Sequence, residues 1–173
     1  EFALIQKYFS QLTAPAADVA LGIGDDCALL SVPAGEVLAV TTDTLVSGRH
    51  FPIETSPYDI GWKSLAVNLS DLAAMGAQAR WFTLALTLPE ADQTWIQEFA
   101  RGLSDLSAQS KVALVGGDTT RGPLSITITA MGSVPAGAAL KRSGAQVDDV
   151  VCVTGTLGDA ALARRILNEP DLS

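Results

Sequence analysis

Ser56–Pro89 reads SPYDIGWKSLAVNLSDLAAMGAQARWFTLALTLP, and its two halves obey different periodicities. The first half predicts a helix from about Tyr58 to Met75. Ser56 stands at the N-cap position and Pro57 at N1, where a missing N–H costs nothing and a fixed φ suits the first turn. Trp62, Leu65, Ala66, Leu69, Leu72 and Ala73 recur at i, i+3, i+4, i+7 spacing, while Ser64, Asn68 and Asp71 form a polar row on another face. Gly76 is placed to accept the left-handed turn that closes a helix. Trp81–Leu88 follows as a near-continuous apolar run closed by Pro89, which predicts a buried strand.

Toward the N-terminus, Cys27–Val32 and Val37–Thr44 are expected to be strands joined by a turn at Pro33-Ala34-Gly35. Phe2, Ile5 and Phe9 fall at helical spacing, and a Pro/Ala turn at Thr13–Ala17 ends that segment. Toward the C-terminus, Gln93–Ser110 predicts a second helix that buries Ile96, Phe99, Ala100, Leu103 and Leu106. Val112–Val115 reads as a buried strand running into Gly116-Gly117-Asp118. Ser125–Val134 alternates Ile126, Ile128 and Ala130 against Thr127, Thr129 and Met131, as a long strand does. Val150–Thr154 reads as a strand and Ala160–Leu167 as the opening of a helix. Strands and helices so mixed, with tight turns between several strand neighbours, give an α+β (mixed α/β) class.

The 173 residues are the size of one domain with the start of a second. A domain of about 150 residues buries roughly 70% of the surface its unfolded chain exposes, so a core needs no disulfide or structural metal. A hydrophobic fraction of 48% and a mean hydropathy of +0.30 argue against disorder. The apolar stretches are short and interrupted, so no membrane span is expected. A net charge of −8 lacks the basic footprint of a nucleic-acid binder, but phosphate ligands remain open where cations mediate the contact. Cys27 and Cys152 lie in apolar runs without CxxC spacing and read as small core residues of a reducing compartment, the cytoplasm. No signal peptide is apparent. The chain opens at Glu1 rather than Met, and Asn168–Ser173 carries no stop signal, so the natural chain is expected to extend at both ends.

Neither a GxxxxGK[ST] loop nor a GxGxxG turn is present, no GxSxG supports a nucleophilic triad, and one histidine, His50, cannot build a histidine zinc site. Four acidic positions remain where strands or helices meet loops: Asp26 in GIGDD, Asp43 in TTDT, Asp71 in NLSD and Asp118 in GGDTTRG. Singly, each has an ordinary role in a turn or on a solvated face. Together they pose a charge problem, because aspartate disfavours strand interiors and yet Asp43 and Asp118 sit in strand-like surroundings. Two carboxylates about 4 Å apart repel by about 4 kcal/mol at an effective dielectric of about 20. Convergence of the four would call for cations or protonation, and carboxylates with Thr hydroxyls are oxygen donors that suit Mg²⁺.

Gly22–Leu30 (GIGDDCALL), Thr41–Phe51 (TTDTLVSGRHF), Lys63–Ala77 (KSLAVNLSDLAAMGA), Gly116–Pro123 (GGDTTRGP), Arg142–Ala145 (RSGA) and Val153–Asp159 (VTGTLGD) resemble the bacterial thiamine-monophosphate kinases. The blocks occur in order over essentially the whole chain. A wider superfamily, with aminoimidazole ribonucleotide synthetase and selenophosphate synthetase, shares the helix end. The resemblance implies an N-terminal metal- and ATP-binding domain over residues 1–145 and the start of a C-terminal domain over 146–173. It implies a mostly antiparallel sheet with helices on one side, whose strands join a partner's in a dimeric barrel. The implied activity is ATP-dependent phosphorylation of thiamine monophosphate to thiamine diphosphate by direct in-line transfer, with several Mg²⁺ ions, in a homodimer. By motif, Asp26, Thr41, Thr42, Asp43, Asp71 and Asp118 would bind metal, Gly117, Asp118 and Arg142 the nucleotide, and His50 would lie near the acceptor. No catalytic base is implied, since a phosphate oxygen is already anionic. The fragment alone would be weakly active or inactive. Ser47 and Arg49 depart from the family's usual Glu and apolar residue, which touches the acceptor contacts. The alternatives are a non-catalytic Mg²⁺- and nucleotide-binding module, or another ATP-dependent enzyme of the superfamily.

Overall fold

A computed structural model describes residues 2–12, 17–153 and 155–168. The chain forms two compact units, Glu1–Leu140 and Lys141–Ser173. In the first unit the elements run α1 (Phe2–Tyr8), β1 (Val19–Leu21), β2 (Leu29–Leu30), β3 (Glu36–Val46), α2 (Pro57–Ala74), β4 (Gln78–Leu88), α3 (Gln93–Ser110), β5 (Ala113–Arg121) and β6 (Ser125–Pro135). The second unit contains a short 3₁₀ turn, Arg142–Gly144, and α4 (Asp159–Asn168).

The fold is α+β. Four strands pair in the order β3-β6-β4-β5, antiparallel except for the parallel β4–β5 pair, which α3 connects. Strand alternation sorts the sheet into two faces. Leu45, Phe82, Leu84, Leu86, Ile126, Ile128 and Ala130 join Ile60, Leu65, Leu72, Phe99 and Leu103 of α2 and α3 in the main core. Each such Leu, Ile or Phe contributes about 1.5–3 kcal/mol through burial. The two helices meet closely, because a Cβ on Gly61 would fall 2.2 Å from the Phe99 carbonyl oxygen and one on Gly102 2.0 Å from that of Tyr58.

The opposite face is covered at one end only. There β1 and β2 pair with each other, and Val19, Ala28 and Leu30 pack on Trp81, Ala113, Val115 and Met131. Arg80 ties this corner together, its Nε donating to Ser133 Oγ at 2.6 Å and its terminal nitrogens pairing with Asp18 at 3.2 Å and Glu36 at 3.4 Å. Ser133 Oγ in turn donates to Glu36. Farther along, Leu38, Val40 and Val46 are exposed, and Thr42 and Thr44 bond Thr129 and Thr127 across the strands.

The expected helix ends are present: Ser56 accepts from the Asp59 amide at 3.1 Å and donates to its carboxylate at 2.6 Å, and Gly76 adopts φ +68° after the final turn. Several expectations need correction. The polar row of α2 does not all face water, for Ser64 and Asn68 are buried. They can be, because Ser64 Oγ donates to Ile60 O and Asn68 Nδ2 to Ser64 O, satisfying those donors against their own helix. Trp62 is half-buried, packing against the main core while stacking on Tyr58. Cys27–Val32 is strand only at Leu29–Leu30, and it pairs with β1 instead of β3. The cysteines are exposed rather than core. Alternation turns Ala28 and Leu30 onto Trp81 and leaves Cys27 outside, while Cys152 lies among exposed Val150, Val151 and Val153. Residues 150–153 form no strand, since no pairing partner stands beside them among the described residues; Thr154, like Thr13–Ala16 of the expected turn, lies outside those residues.

Candidate functional site

The strand expected to end at Val115 continues to Arg121, and its second half builds the site. β5 runs beside β4 with one extra residue between the Phe82–Leu114 and Thr83–Gly116 pairs. After this bulge Gly117 adopts φ +152°, and a Cβ there would lie 1.9 Å from the Leu84 carbonyl oxygen. Only glycine fits, and Asp118 follows at once, exposed, on the sheet edge.

Facing that edge is the loop between β1 and β2. Gly24 takes φ +127°, and the Asp26 amide donates to Asp25 Oδ1 at 2.9 Å. Loop and strand enclose a cavity of about 740 Å³, within the range of small-molecule sites. Its polar part comprises Asp25, Asp26, Gly116, Gly117, Asp118 and Thr119; Ile5, Phe9, Ile23, Leu84 and Leu114 supply an apolar part. The structure thus brings Asp26, Gly117 and Asp118 to one cavity.

Thr41, Asp43 and Asp71 make a second group. Thr41 and Asp43 alternate with buried Leu45 on the α2-facing side of β3, and Thr41 Oγ1 donates to Asp71 Oδ2 at 2.8 Å. Asp71 ends the row that begins with buried Ser64 and Asn68, so its carboxylate reaches β3. It lies in the last turn of α2, where backbone carbonyls concentrate negative charge, and no basic residue occupies that turn. The Thr42 side chain lies on the other face, with Thr129, and does not join this group.

His50 follows β3 in a tight turn, where its Nδ1 accepts from the Val46 amide at 3.0 Å. Lys63 Nζ donates to the His50 carbonyl oxygen at 2.6 Å. Arg142 lies in the second unit, exposed in its 3₁₀ turn. Among the described residues, no three His, Cys, Asp or Glu side chains come together as a metal cage. The donors present, carboxylates and a Thr hydroxyl, fit Mg²⁺ in its usual mode, with one or two carboxylates completed by water and phosphate oxygens.

Sequence reading missed Asp25 as a cavity residue and the share of α1 in its wall. Ile5 and Phe9 were visible as an apolar helix stripe, but a stripe facing a cavity has the same period as one facing a core.

Fold and site together define an α+β domain with an acidic, glycine-floored cavity at the edge of its sheet. The chain belongs to the family described as AIR synthase related protein, N-terminal domain, whose model matches residues 24–134. It is 54% identical over 167 residues to the thiamine-monophosphate kinase of Escherichia coli (strain K12), covering 96% of this chain and 51% of that protein. The crystal structure of thiamine-monophosphate kinase from Stenotrophomonas maltophilia K279a superposes with a TM-score of 0.89 at 58% identity, over 98% of this chain and 54% of the other. AaThiL complexed with AMPPCP and TMP superposes with a TM-score of 0.71 at 31% identity, over 98% of this chain and 53% of the other. The chain therefore spans about half the length of the relatives it matches.

Proposed function

We propose that this chain is the nucleotide- and metal-binding part of a thiamine-monophosphate kinase, which transfers the γ-phosphoryl group of ATP to thiamine monophosphate. The observation that carries the reading is the cavity in which Gly117, Asp118 and Asp26 face one another, in a chain closely similar to kinases of that name. The apolar wall of Ile5, Phe9 and Ile23 suits a nucleobase, and the acidic, glycine-floored part suits phosphates accompanied by cations.

Asp26, Asp43, Asp71 and Asp118, with the Thr41 hydroxyl, are the residues that would hold Mg²⁺; Thr42 would contribute through its backbone oxygen. Bound there, Mg²⁺ would neutralise charge on the transferring phosphoryl group. The bare backbone at Gly116-Gly117 lets phosphate approach the strand closely; Arg142, by its motif alone, would be a further nucleotide ligand. The acceptor is a phosphate monoester oxygen, anionic at neutral pH, so in-line attack on the γ-phosphorus requires no side-chain base. Positioning and relief of anion–anion repulsion are then the catalytic tasks. Residues 1–145 would form this domain, 146–173 would open the next, and the protein would act in the cytoplasm as a homodimer joined through its sheets.

The test is formation of ADP and thiamine diphosphate by the intact protein. Asp43→Asn and Asp118→Asn are each expected to reduce turnover by about a hundredfold or more, as loss of a charge-stabilising group does. Mg²⁺-dependent turnover left intact in either variant would refute that residue's role. Nucleotide binding without turnover by the intact wild type would favour a non-catalytic module.

A further inference from the structure

We propose that Lys63 is a positioning residue which, with the Val46 amide, holds His50 in a single tautomer whose Nε2–H is offered to a phosphate oxygen of the acceptor. The identity of the acceptor rests on the kinase reading above; the geometry does not.

The turn after β3 leaves few of its backbone groups unused. The amides of Arg49 and His50 both donate to the Val46 carbonyl, at 3.1 and 2.9 Å, and the Gly48 amide donates to Phe51 O at 2.9 Å. Phe51 is 4% exposed and pins the end of the turn in the core. The His50 carbonyl takes its hydrogen bond from outside the turn, from the Lys63 ammonium at 2.6 Å. A charge-assisted bond from a helix fixes that peptide plane and so the direction of the imidazole.

The Val46 N–H donates to Nδ1 at 3.0 Å, which requires a bare nitrogen there and places the ring proton on Nε2. The side chain is exposed, and Nε2 has no partner among the described residues. The ring is therefore oriented without using its donor, and an anionic oxygen is the acceptor that such a donor binds best. The turn that holds His50 continues directly from β3, the strand that carries Thr41 and Asp43. An ordinary loop histidine would make the same local bond to Val46 but would not depend on a lysine of α2.

His50 is the one histidine of residues 1–173, and ¹⁵N-histidine labelling of the intact protein reports its imidazole as the signal lost in His50→Gln. The wild type should show one fixed tautomer, with Nε2 protonated and Nδ1 bare. Lys63→Met should give an average of both tautomers, and Lys63→Arg should restore the fixed one. Thiamine monophosphate, added with an ATP analogue to the intact protein, should move the Nε2 resonance; assignment there follows from its loss in His50→Gln. In turnover, Lys63→Met should raise KM for thiamine monophosphate about tenfold, the effect of losing one hydrogen bond to a charged group, and leave KM for ATP unchanged. Averaged tautomers in the wild type, or an unchanged spectrum in Lys63→Met, would overturn the proposal, as would an Nε2 resonance indifferent to saturating ligand. Failure of the kinase reading would show separately, as a wild type that forms no ADP.

Discussion

The phenol of Tyr58 donates to Asp105 at 3.0 Å, and the Arg101 guanidinium lies 4.3 Å from its ring centroid. Ionisation would surrender the hydrogen bond and place a phenolate beside a carboxylate, so the bond to Asp105 holds the Tyr58 pKa above its ordinary value of 10.0. A spectrophotometric titration, assigned with Tyr58→Phe, should show this phenol ionising late, and Asp105→Asn should bring it back down. Because the folded pKa is the higher one, the associated stability is complete below the unfolded pKa and is lost as pH rises through the folded one. Asp71 carries its charge at the negative end of α2, where one hydrogen bond from Thr41 supports it. Asp71→Asn removes an anion from the negative end of α2 and should leave stability equal or raise it by about 0.3–1 kcal/mol. The same change should abolish most turnover, and thermal melts beside ADP assays would expose the divergence. A variant that lost stability and activity together would assign Asp71 to the fold instead. The acidic positions themselves were legible in the sequence, because aspartate beside glycine or within an apolar strand is unusual. Their division between a cavity at β5 and a helix end at β3 was not, since it depends on strand order.

At the crossing of α2 and α3, helix propensity and packing give opposite forecasts for one substitution. In a free helix Gly102→Ala would stabilise by about 1 kcal/mol. Here the new methyl would sit 2.0 Å from the Tyr58 carbonyl oxygen, which is backbone and cannot step aside. Packing should win, with a net loss of about 1–3 kcal/mol visible in chemical denaturation. An unchanged or raised midpoint would mean that the helices part at little cost. The helix ends could be read from sequence because caps are local chemistry: Ser56 and Asp59 bond each other reciprocally, as their spacing suggests. The buried face of α2 could not be read in full. Hydrophobic periodicity assumes that polar residues seek water, whereas Ser64 and Asn68 satisfy donors on their own backbone and turn inward with Leu65 and Leu72.

Across the whole molecule, the sheet's two faces are unequally covered. The helices seal one, but on the other Leu38 is 48% and Val40 57% exposed. If that face meets a second copy, Val40→Asp should shift sedimentation toward monomer and leave the melting temperature of the monomer nearly unchanged. A wild type that stays monomeric at high concentration would remove the dimer from the proposal. The α+β class follows from strand alternation and helical spacing, which sequence displays directly, whereas the pairing of β3 with the distant β6 does not. Nor does the parallel placement of β5 beside β4, because pairing across a whole helix leaves no local trace. That placement also makes the two edges of the sheet unlike. β5 is interrupted by its bulge and by Gly117, so a foreign strand finds no continuous ladder there. β3 runs in unbroken register from Glu36 to Val46 along β6 and leaves its far side without a strand partner among the described residues. Growth of the sheet thus has one open direction. Two copies meeting there by twofold symmetry would use up both open edges at once, and the irregularity that shapes the ligand cavity would also keep pairs from polymerising into fibres.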